Sequence, residues 1–402
     1  MVTSGVSAYL PSVFNPLFMR IALTFLMLVA GALPLTAQPA SFVYRLGKDT
    51  LAIEQYTRTA TSMNGEMVQR SGVAIARIQY SVTLGKDGRP TAATIKRLLA
   101  DGSMAPNAPS ETRIQVRADS IVREIVFADS VQRRAFAAKQ ALINFPVFIY
   151  GPTELLAGLR KGGLVDSIPA LGFAGNLGFT GFSSTAGDTV RLRGGAYAMA
   201  LRFDANSRLM SLDGALTTNK VLATRGTGGL DMAAIAKSMK PTGALSLREV
   251  ARGAFGPGGM VLIDYGRPSV RERSVWGGVL VPFDSVWRTG ANDATHLFTT
   301  RVLTLGTPAS GELLVPPGMY TLWVQHTRNG TSLIVSKHTG QWGTQYDVSR
   351  DLGRVPMTIS ATPTHVEEFT IMVRPLGANR GAVEMTWGPS MMSVPFSVSV
   401  AR

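Results

Sequence analysis

The sequence predicts a mainly β protein made of two antiparallel β domains with a few short helices. The first observation is an alternation of apolar or β-branched residues with polar ones, broken by turn residues, from about residue 42 to 218 and again from residue 260 onward. The second is that all five Trp and all four His residues lie between Trp276 and Trp387. This asymmetry marks the C-terminal part as a module with its own core, which we expect to be a β-sandwich or an open barrel.

Turn residues place the strands within each domain. Gly47-Lys48-Asp49 separates one pair of alternating runs and Asp87-Gly88 separates another, because glycine accepts the positive φ of tight hairpin turns. In the N-terminal domain this pattern predicts strands at 41–46, 51–58, 76–84, 91–98, 198–203 and 209–213. In the C-terminal domain it predicts strands at 260–265, 295–305, 318–325, 332–337, 369–374 and 382–387.

Three segments of the N-terminal domain depart from the alternation. Residues 130–142 have helix-forming content, and Thr153 is placed to cap a short helix over residues 153–160. The tract 172–187 is rich in Gly, Phe, Thr and Ser, and it fits either a flexible loop or a bulged strand pair. We therefore expect helical inserts in a β domain.

Length and composition set the domain boundaries. Without its first 37 residues the chain of 402 residues keeps 365, which is more than one hydrophobic core usually holds. Residues 219–244 contain Gly- and Pro-rich turns and a short Ala-rich helical stretch from Met232 to Met239. We interpret them as a linker between an N-terminal domain, 38–218, and a C-terminal domain, 245–402.

Residues 1–37 have the composition of a secretory signal peptide. Arg20 is their one charged residue, an apolar run follows from Ile21 to Gly31, and Ala37 offers a small residue for cleavage. The run is short for a membrane span, and an uncleaved anchor is the competing interpretation. The absence of Cys excludes disulfides, thiolate metal sites and a lipidated Cys. We expect an exported bacterial protein, periplasmic or extracellular, without a membrane span in its mature form.

The net charge of +14 is concentrated in the first part of the chain. Residues 1–250 carry 27 Lys and Arg against 16 Asp and Glu, whereas residues 251–402 carry 13 against 10. The basic residues are scattered and lack the stripes with interleaved aromatics that nucleic-acid binders show, so no specific nucleic-acid partner is predicted. A solvated basic surface and weak attraction to anionic cell-envelope polymers both remain open.

Several motifs of the C-terminal domain stand in a fixed order. They are Asp264-Tyr265-Gly266-Arg267-Pro268-Ser269, Trp276-Gly277-Gly278, Val286-Trp287-Arg288-Thr289-Gly290-Ala291-Asn292, Val315-Pro316-Pro317-Gly318-Met319-Tyr320 and Gln341-Trp342-Gly343. Together they resemble the bacterial family called domain of unknown function 2911, over roughly residues 243–400. Pro317 and His338 depart from the family pattern. The resemblance implies an exported bacterial protein and no known activity, because the family is uncharacterised.

Polar and aromatic residues of two adjacent loops suggest a binding site. The candidate ligand-binding residues are Asp264, Tyr265, Arg267, Arg271, Arg288, Asn292 and Trp342. Guanidinium groups suit carboxylate, phosphate or sulfated ligands, because two parallel N–H donors match two oxygens. The same arginines could instead pair with nearby aspartates and pin the loops to the sandwich.

The aromatic residues leave a carbohydrate ligand open. An exposed Trp342, between Gly340 and Gly343, could stack on a sugar ring, whereas the alternative is that it covers a hairpin and the other four Trp are core. The anticipated partner is therefore an anionic or carbohydrate envelope ligand. The sequence leaves the oligomeric state open.

Motifs for catalysis are weak in this sequence. No catalytic residue, metal site or cofactor is predicted, because the histidines lack metal-ligand spacing and Gly181-Phe182-Ser183 lacks the second Gly of a nucleophile elbow. The sequence favours a non-catalytic ligand-binding or structural β module of the cell envelope. The alternative is a hydrolase acting on envelope polymers or carbohydrate, which would need His or carboxylate groups to converge in one cleft.

Overall fold

The computed structural model describes residues 39–162, 165–184, 189–194, 197–215, 217 and 220–399. The predicted signal peptide, residues 1–37, lies outside them. The described chain is mainly β, with two large antiparallel sheets and few helices, which confirms the predicted fold class. None of its described helices has the length and apolar character needed to cross a membrane.

Fifteen strands of the described residues form the first sheet. They are β1 (Ala40–Leu46), β2 (Asp49–Arg58), β3 (Ser62–Arg70), β4 (Ile75–Leu84), β5 (Pro90–Leu99), β6 (Glu111–Val116), β7 (Ser120–Val126), β8 (Val131–Ala137), β9 (Leu142–Asn144), β10 (Val165–Gly172), β11 (Leu177–Ser184), β12 (Thr189–Gly194), β13 (Tyr197–Phe203), β14 (Leu209–Asp213) and β15 (Leu222–Thr227). A 3₁₀ helix, Gly151–Gly162, follows β9, and helix α1, Met232–Ser238, follows β15.

Ten further strands of the described residues form the second sheet. They are β16 (Arg248–Phe255), β17 (Gly259–Gly266), β18 (Val286–Trp287), β19 (Thr295–Thr299), β20 (Leu303–Thr307), β21 (Gly311–Val315), β22 (Gly318–Thr327), β23 (Gly330–Ser336), β24 (Asp351–Gly377) and β25 (Arg380–Val398). A short 3₁₀ helix, Val348–Arg350, precedes β24.

Three segments of the first sheet can be compared with the sequence expectations. The helix expected over 130–142 is wrong, because these residues form β8, β9 and the link between them. Strand β8 lies at the sheet edge and is exposed along nearly its whole length, so it shows no alternation of buried and exposed residues. The tract 172–187 contains β11, which pairs with β10 and fits the strand alternative of the two that the sequence left open. Residues 219–244, expected as a linker, contain β15, which lies within the first sheet, and α1, which packs against it.

The first sheet must be strongly curled. Strands β1 to β8 run from the middle of the sheet to one edge, while β15 back to β9 run from β1 to the other edge. Laid flat, fifteen strands would separate the two edges by roughly 65 Å. Residues 138–141 alone connect β8 to β9, and a link of that length spans at most about 18 Å. The two edges therefore come close together.

Side chains, rather than a β ladder, join the two edges. Arg123 on β7 donates hydrogen bonds from Nη1 to the carbonyl oxygens of Gly172 and Gly175, at 3.2 and 2.7 Å. Arg134 on β8 donates to the side-chain oxygen of Asn176 at 2.9 Å. These bonds hold the turn between β10 and β11 against the opposite edge of the sheet.

A buried carboxylate organises the interior of the curled sheet. Glu54 on β2 is 0% exposed and accepts hydrogen bonds from the hydroxyls of Tyr44 and Tyr80 and from the backbone N–H groups of Tyr150 and Gly151. Four donors satisfy both oxygens, which offsets much of the cost of burying the charge. The carboxylate thereby fixes the start of the 3₁₀ helix inside the sheet.

A second carboxylate lies at the same helix. Glu154 accepts hydrogen bonds from the Tyr56 hydroxyl and the backbone N–H of Leu209, and it pairs with Arg225 on β15. The two glutamates link the 3₁₀ helix to β2, β14 and β15. The helix is therefore part of the core of this sheet.

The second sheet folds over on itself into two layers. Strand β24 is 27 residues long, and its first part pairs with β23 while its second part pairs with β25. The layer β16-β17-β19-β22-β23 faces the layer formed by the rest of β24 with β25, β20 and β21. Aromatic and aliphatic side chains of both layers fill the space between them. The expected strand 295–305 is divided between β19 and β20, which lie in different layers.

The turn between β1 and β2 packs against the second sheet. Arg271 pairs with Asp49, and Lys48 pairs with Glu272 at 3.1 Å. Gly47 in this turn has a φ of +59°, and a Cβ atom at this position would overlap the carbonyl oxygen of Arg271. The approach of the two sheets therefore requires glycine at position 47.

We expect Glu54 to make stability depend on pH. Burial raises the pKa of Glu54, so above its ordinary value of about 4.3 the folded protein binds more protons than the unfolded chain. The contribution of Glu54 to the free energy of unfolding is fully present below its ordinary pKa of about 4.3. It is lost as the pH rises through the higher pKa of the folded state. Urea unfolding from pH 4 to 8 should show that the free-energy advantage of the wild type over Glu54→Gln declines with rising pH. Glu312→Gln, at an exposed position, is the control, and an advantage that grows with pH would contradict the account.

The contact between the sheets is tested by two glycine variants. Gly88→Ala places a side chain at positive φ in open space, which costs about 1–2 kcal/mol of unfolding free energy. Gly47→Ala carries the same backbone cost and also collides with Arg271, so we expect it to cost about 1–3 kcal/mol more. Denaturant unfolding measures both, and equal losses would show that the turn does not pack against residue 271.

Candidate functional site

A cavity of about 130 Å³ lies where the two sheets meet. Both sheets and their loops contribute to its walls. The lining residues are Leu46, Leu51, Lys220, Leu245, Ser246, Pro268, Ser269, Arg271, Arg273, Leu280, Trp287, Arg288, Gly290, Ala291, Asn292 and Trp387. We call this space the intersheet cavity.

Cationic side chains dominate the polar lining of the intersheet cavity. Four of the described lining residues are basic, namely Lys220, Arg271, Arg273 and Arg288, and none of them is acidic. Asp49 pairs with Arg271 and offsets one of these charges. Positive charges held close together in a partly desolvated space repel one another, so the arrangement favours an anion that enters it.

Lys220 reaches the cavity from the loop between β14 and β15. Its ammonium group donates hydrogen bonds to the carbonyl oxygens of Ala215 and Val279, each at 3.1 Å, so it bridges the two sheets. Burial, together with the charges of Arg288 and Arg273, lowers the pKa of Lys220 to about 8. A bound anion would offset the repulsion from the two arginines and favour the protonated amine.

Arg273 is held by the backbone of its own loop. Its Nε and Nη2 atoms donate to the carbonyl oxygens of Val270 and Ser269, each at 2.9 Å. Burial and the neighbouring charge of Arg271 lower the pKa of Arg273 to about 10. The guanidinium group is therefore fixed in position and remains charged at neutral pH.

The loop after β18 supplies Arg288 and Asn292. Arg288 Nε donates to the carbonyl oxygen of Gly290 at 3.3 Å, and the Asn292 carbonyl accepts from the N–H of Gly343 at 3.0 Å. Thr289 and Asn292 have φ values of +52° and +63°. Such backbone strain persists where the surrounding structure holds it, often at binding sites.

The 337–350 loop packs directly against Arg288, because a Cβ atom at Gly343 would lie 2.7 Å from Cδ of this arginine.

Tryptophan rings form the apolar wall of the intersheet cavity. Trp287 and Trp387 stack with ring centroids 5.4 Å apart and an interplanar angle of 16°. Trp276 meets both edge-on, at 5.8 and 6.3 Å. The wall offers an apolar surface to part of a ligand, while the cationic side chains supply charge.

The structure brings three of the predicted site residues together and separates the others. Arg271, Arg288 and Asn292 line the intersheet cavity. Asp264 pairs with Arg248 at 2.8 Å, and the buried Tyr265 directs its hydroxyl to the Ile371 carbonyl at 3.4 Å. These two residues stabilise the sheet and do not face the cavity.

Arg267 and Trp342 also lie outside the cavity lining. Arg267 pairs with Glu249 at 2.8 Å and with Glu368 at 3.2 Å, so it joins the end of β17 to β16 and β24, and its partners are glutamates rather than the nearby aspartates. Trp342 is 37% exposed, and its backbone forms a bridge with Asp293. The loop that carries Trp342 contacts Arg288 and Asn292 through Gly343.

Two basic residues of the cavity were missed by sequence reasoning. Arg273 lies two positions after Arg271, within a segment already singled out, and its spacing was a usable signal. Lys220 lies about 50 positions earlier, and only the contact between the sheets brings it to the cavity. Nothing in the local sequence of Lys220 indicates that position.

The histidines serve other local contacts. His296 Nε2 accepts a hydrogen bond from the N–H of Gly340 at 3.0 Å, and His326 Nδ1 lies 2.7 Å from the Thr331 hydroxyl. Among the described residues, no group of three or more His, Asp or Glu side chains could hold a metal ion. Burial lowers the pKa of both His296 and His326, which favours their neutral form.

The cavity-forming loops lie in a region that matches a known family. Residues 250–396 match the family model of DUF2911, a protein family of unknown function. The DUF2911 region thus supplies most of the cavity, whereas Lys220, Leu46 and Leu51 come from the first sheet outside it. A search of curated proteins found no match.

One solved structure shows a weak likeness to this chain. A crystal structure of a DUF1089 family protein from Pseudomonas aeruginosa aligns with a TM-score of 0.31 and 11% sequence identity, covering 41% of this chain and 90% of that chain. At this TM-score the likeness carries no argument about fold or function.

The structural role of Arg267 is tested by its removal. Arg267→Ala takes away two ion pairs and the hydrogen bonds to Phe369 and Thr370, so we expect a loss of about 1–2 kcal/mol of unfolding free energy. Arg252→Ala, at an exposed position on the neighbouring edge strand, should change it by less than about 0.5 kcal/mol. Chemical denaturation compares them, and an equally small loss for Arg267→Ala would remove its structural role.

Proposed function

We propose that the protein binds a small anionic ligand, without chemical conversion, in the intersheet cavity. The observation that carries the proposal is the lining itself, which has four cations and, among the described residues, no acid. A carboxylate or phosphate entering this space would replace repulsion between cations with ion pairs and charge-assisted hydrogen bonds. The stacked tryptophans would contact the apolar part of the same ligand.

Several features support binding over hydrolysis. Lys220 and Arg273 are anchored to backbone carbonyls, which holds their charges in place before a ligand arrives and lowers the ordering cost of binding. Hydrolysis by side chains would need an acid and a base at the ligand. The described lining offers Ser246 and Ser269 hydroxyls but neither His nor carboxylate.

The proposed setting is the cell envelope of a bacterium. The composition of residues 1–37 supports export, and the absence of Cys fits a chain that relies on its cores rather than on disulfides. A net positive charge would favour attraction to anionic ligands at the cell surface. In this proposal the DUF2911 region and the first sheet together form one ligand-binding unit.

Thermal unfolding of the purified protein with added anions tests the proposal. A ligand that binds only the folded state stabilises it by about 2.7 kcal/mol at one hundred times its dissociation constant. We expect phosphate or acetate, compared at equal ionic strength with sodium chloride, to raise Tm, and neutral glycerol at the same concentration to leave it unchanged.

The matched variants assign the effect to the cavity. Arg288→Gln should lose most of the anion-dependent rise in Tm, whereas Arg252→Gln, exposed on β16, should keep it. An unchanged Tm of the wild type with every anion would contradict the proposed function. An equal rise in both variants would place the anion elsewhere.

A further inference from the structure

We propose that the ligand of the intersheet cavity is a small organic phosphate monoester, with its phosphate near Lys220, Arg273 and Arg288 and its organic part against Trp287. This inference rests on the proposed function and names the chemical class of the ligand. Three properties of the cavity support it: the charge of its lining, the hydrogen-bond donors that remain, and its volume.

The charge of the lining fits a dianion. Beside the Asp49–Arg271 pair, Lys220 and Arg273 bring two further positive charges to the lining, and Arg288 lines the same space. A carboxylate carries one negative charge, so it would balance only one of the charges of Lys220 and Arg273. A phosphate monoester carries close to two negative charges at pH 7, so it relieves more of the repulsion.

The donors that remain fit three acceptor oxygens. Lys220 uses two of its three N–H bonds on the carbonyls of Ala215 and Val279. Arg273 uses Nε and Nη2 on backbone carbonyls, which leaves its Nη1 group for a ligand. Phosphate presents three strong acceptor oxygens in a tetrahedral arrangement, whereas a carboxylate presents two in a plane. Donors that approach from two sheets are better met by the tetrahedral group.

The volume accommodates more than a phosphate group. A space of about 130 Å³ accommodates roughly ten water-sized atoms, at about 10–15 Å³ for each. A phosphate group has five heavy atoms, so about five remain for the organic part. Leu46, Leu51 and Leu280 line the cavity together with Trp287, and they would contact that part.

Binding of a dianion next to Lys220 has a proton signature. The free amine has a pKa of about 8, because of burial and the charges of Arg288 and Arg273. At pH 8 the Lys220 amine of the free protein is therefore protonated about half of the time. A bound phosphate raises the pKa of Lys220, so the amine takes up a proton on binding. Binding at pH 8 should take up about half a proton, and binding at pH 6 should take up nearly none at Lys220.

Calorimetric titration of the purified protein tests the ligand class. The probes are glycerol 3-phosphate, glycerate, inorganic phosphate and inorganic sulfate, each at pH 8 in two buffers that differ in ionisation enthalpy. We expect glycerol 3-phosphate to bind at least about tenfold more tightly than glycerate or inorganic phosphate, with uptake of about half a proton. Sulfate, as a dianion without an organic part, should bind about as inorganic phosphate does.

Variants of Lys220 separate a role in binding from a role in folding. Lys220→Met should weaken glycerol 3-phosphate binding at least tenfold, whereas Lys220→Arg should largely retain affinity while losing the proton uptake at pH 8. Lys237→Met, exposed on α1, is the control and should retain both. Unchanged proton uptake in Lys220→Arg would overturn the assignment of the proton to Lys220.

The outcomes distinguish the two proposals. If glycerate binds as tightly as glycerol 3-phosphate and both depend on Lys220, the phosphate class is wrong and the anion-binding function stands. If inorganic phosphate binds as tightly as glycerol 3-phosphate, the proposed contact between the cavity and an organic part of the ligand is wrong. If none of the four probes binds, both the ligand class and the proposed function are contradicted.

Discussion

The intersheet cavity depends on one close approach, in which the β1–β2 turn lies against the backbone of Arg271. Glycine at position 47 permits it, because its φ is positive and a side chain there would occupy the space of the Arg271 carbonyl. The Asp49–Arg271 and Lys48–Glu272 pairs surround this contact. Surface ion pairs contribute little by themselves, so the fit of the backbone is the main determinant of how the sheets meet. Without it, Lys220 would have no cationic neighbours from the second sheet.

The position of the β1–β2 turn is defined because buried hydrogen bonds hold the first sheet together. Glu54 on β2 connects β1 and β4, through the hydroxyls of Tyr44 and Tyr80, to the 3₁₀ helix inside the sheet, and Glu154 connects the same helix to β15. Buried, fully hydrogen-bonded carboxylates specify one arrangement of their donors. The cationic cavity has the opposite character, since its charges repel one another and cost stability in the absence of a ligand. Binding sites commonly carry such a cost, which the surrounding structure offsets.

The fold class, most hairpins and two of the four basic residues that line the intersheet cavity could be predicted from the sequence, for physical reasons. Alternation reveals strands that bury one face, so β1, β2 and β22 were predicted, whereas the exposed edge strand β8 buries nothing and was taken for a helix. Arg271 and Arg288 were found because their loops adjoin in sequence and resemble those of the DUF2911 family. Lys220 was not found, because the contact that brings it to the cavity joins residues far apart in the chain, such as Asp49 and Arg271. Contacts of that kind leave no periodic signal.

Both proposals depend on the binding of an oxyanion between Lys220, Arg273 and Arg288. A crystal of the protein soaked with tungstate, a heavy tetrahedral dianion, would locate such a group directly by anomalous scattering. We expect a peak inside the intersheet cavity, within hydrogen-bonding distance of Lys220 Nζ and the Arg273 guanidinium group. A cavity without a peak, in a crystal that binds tungstate elsewhere, would contradict the account.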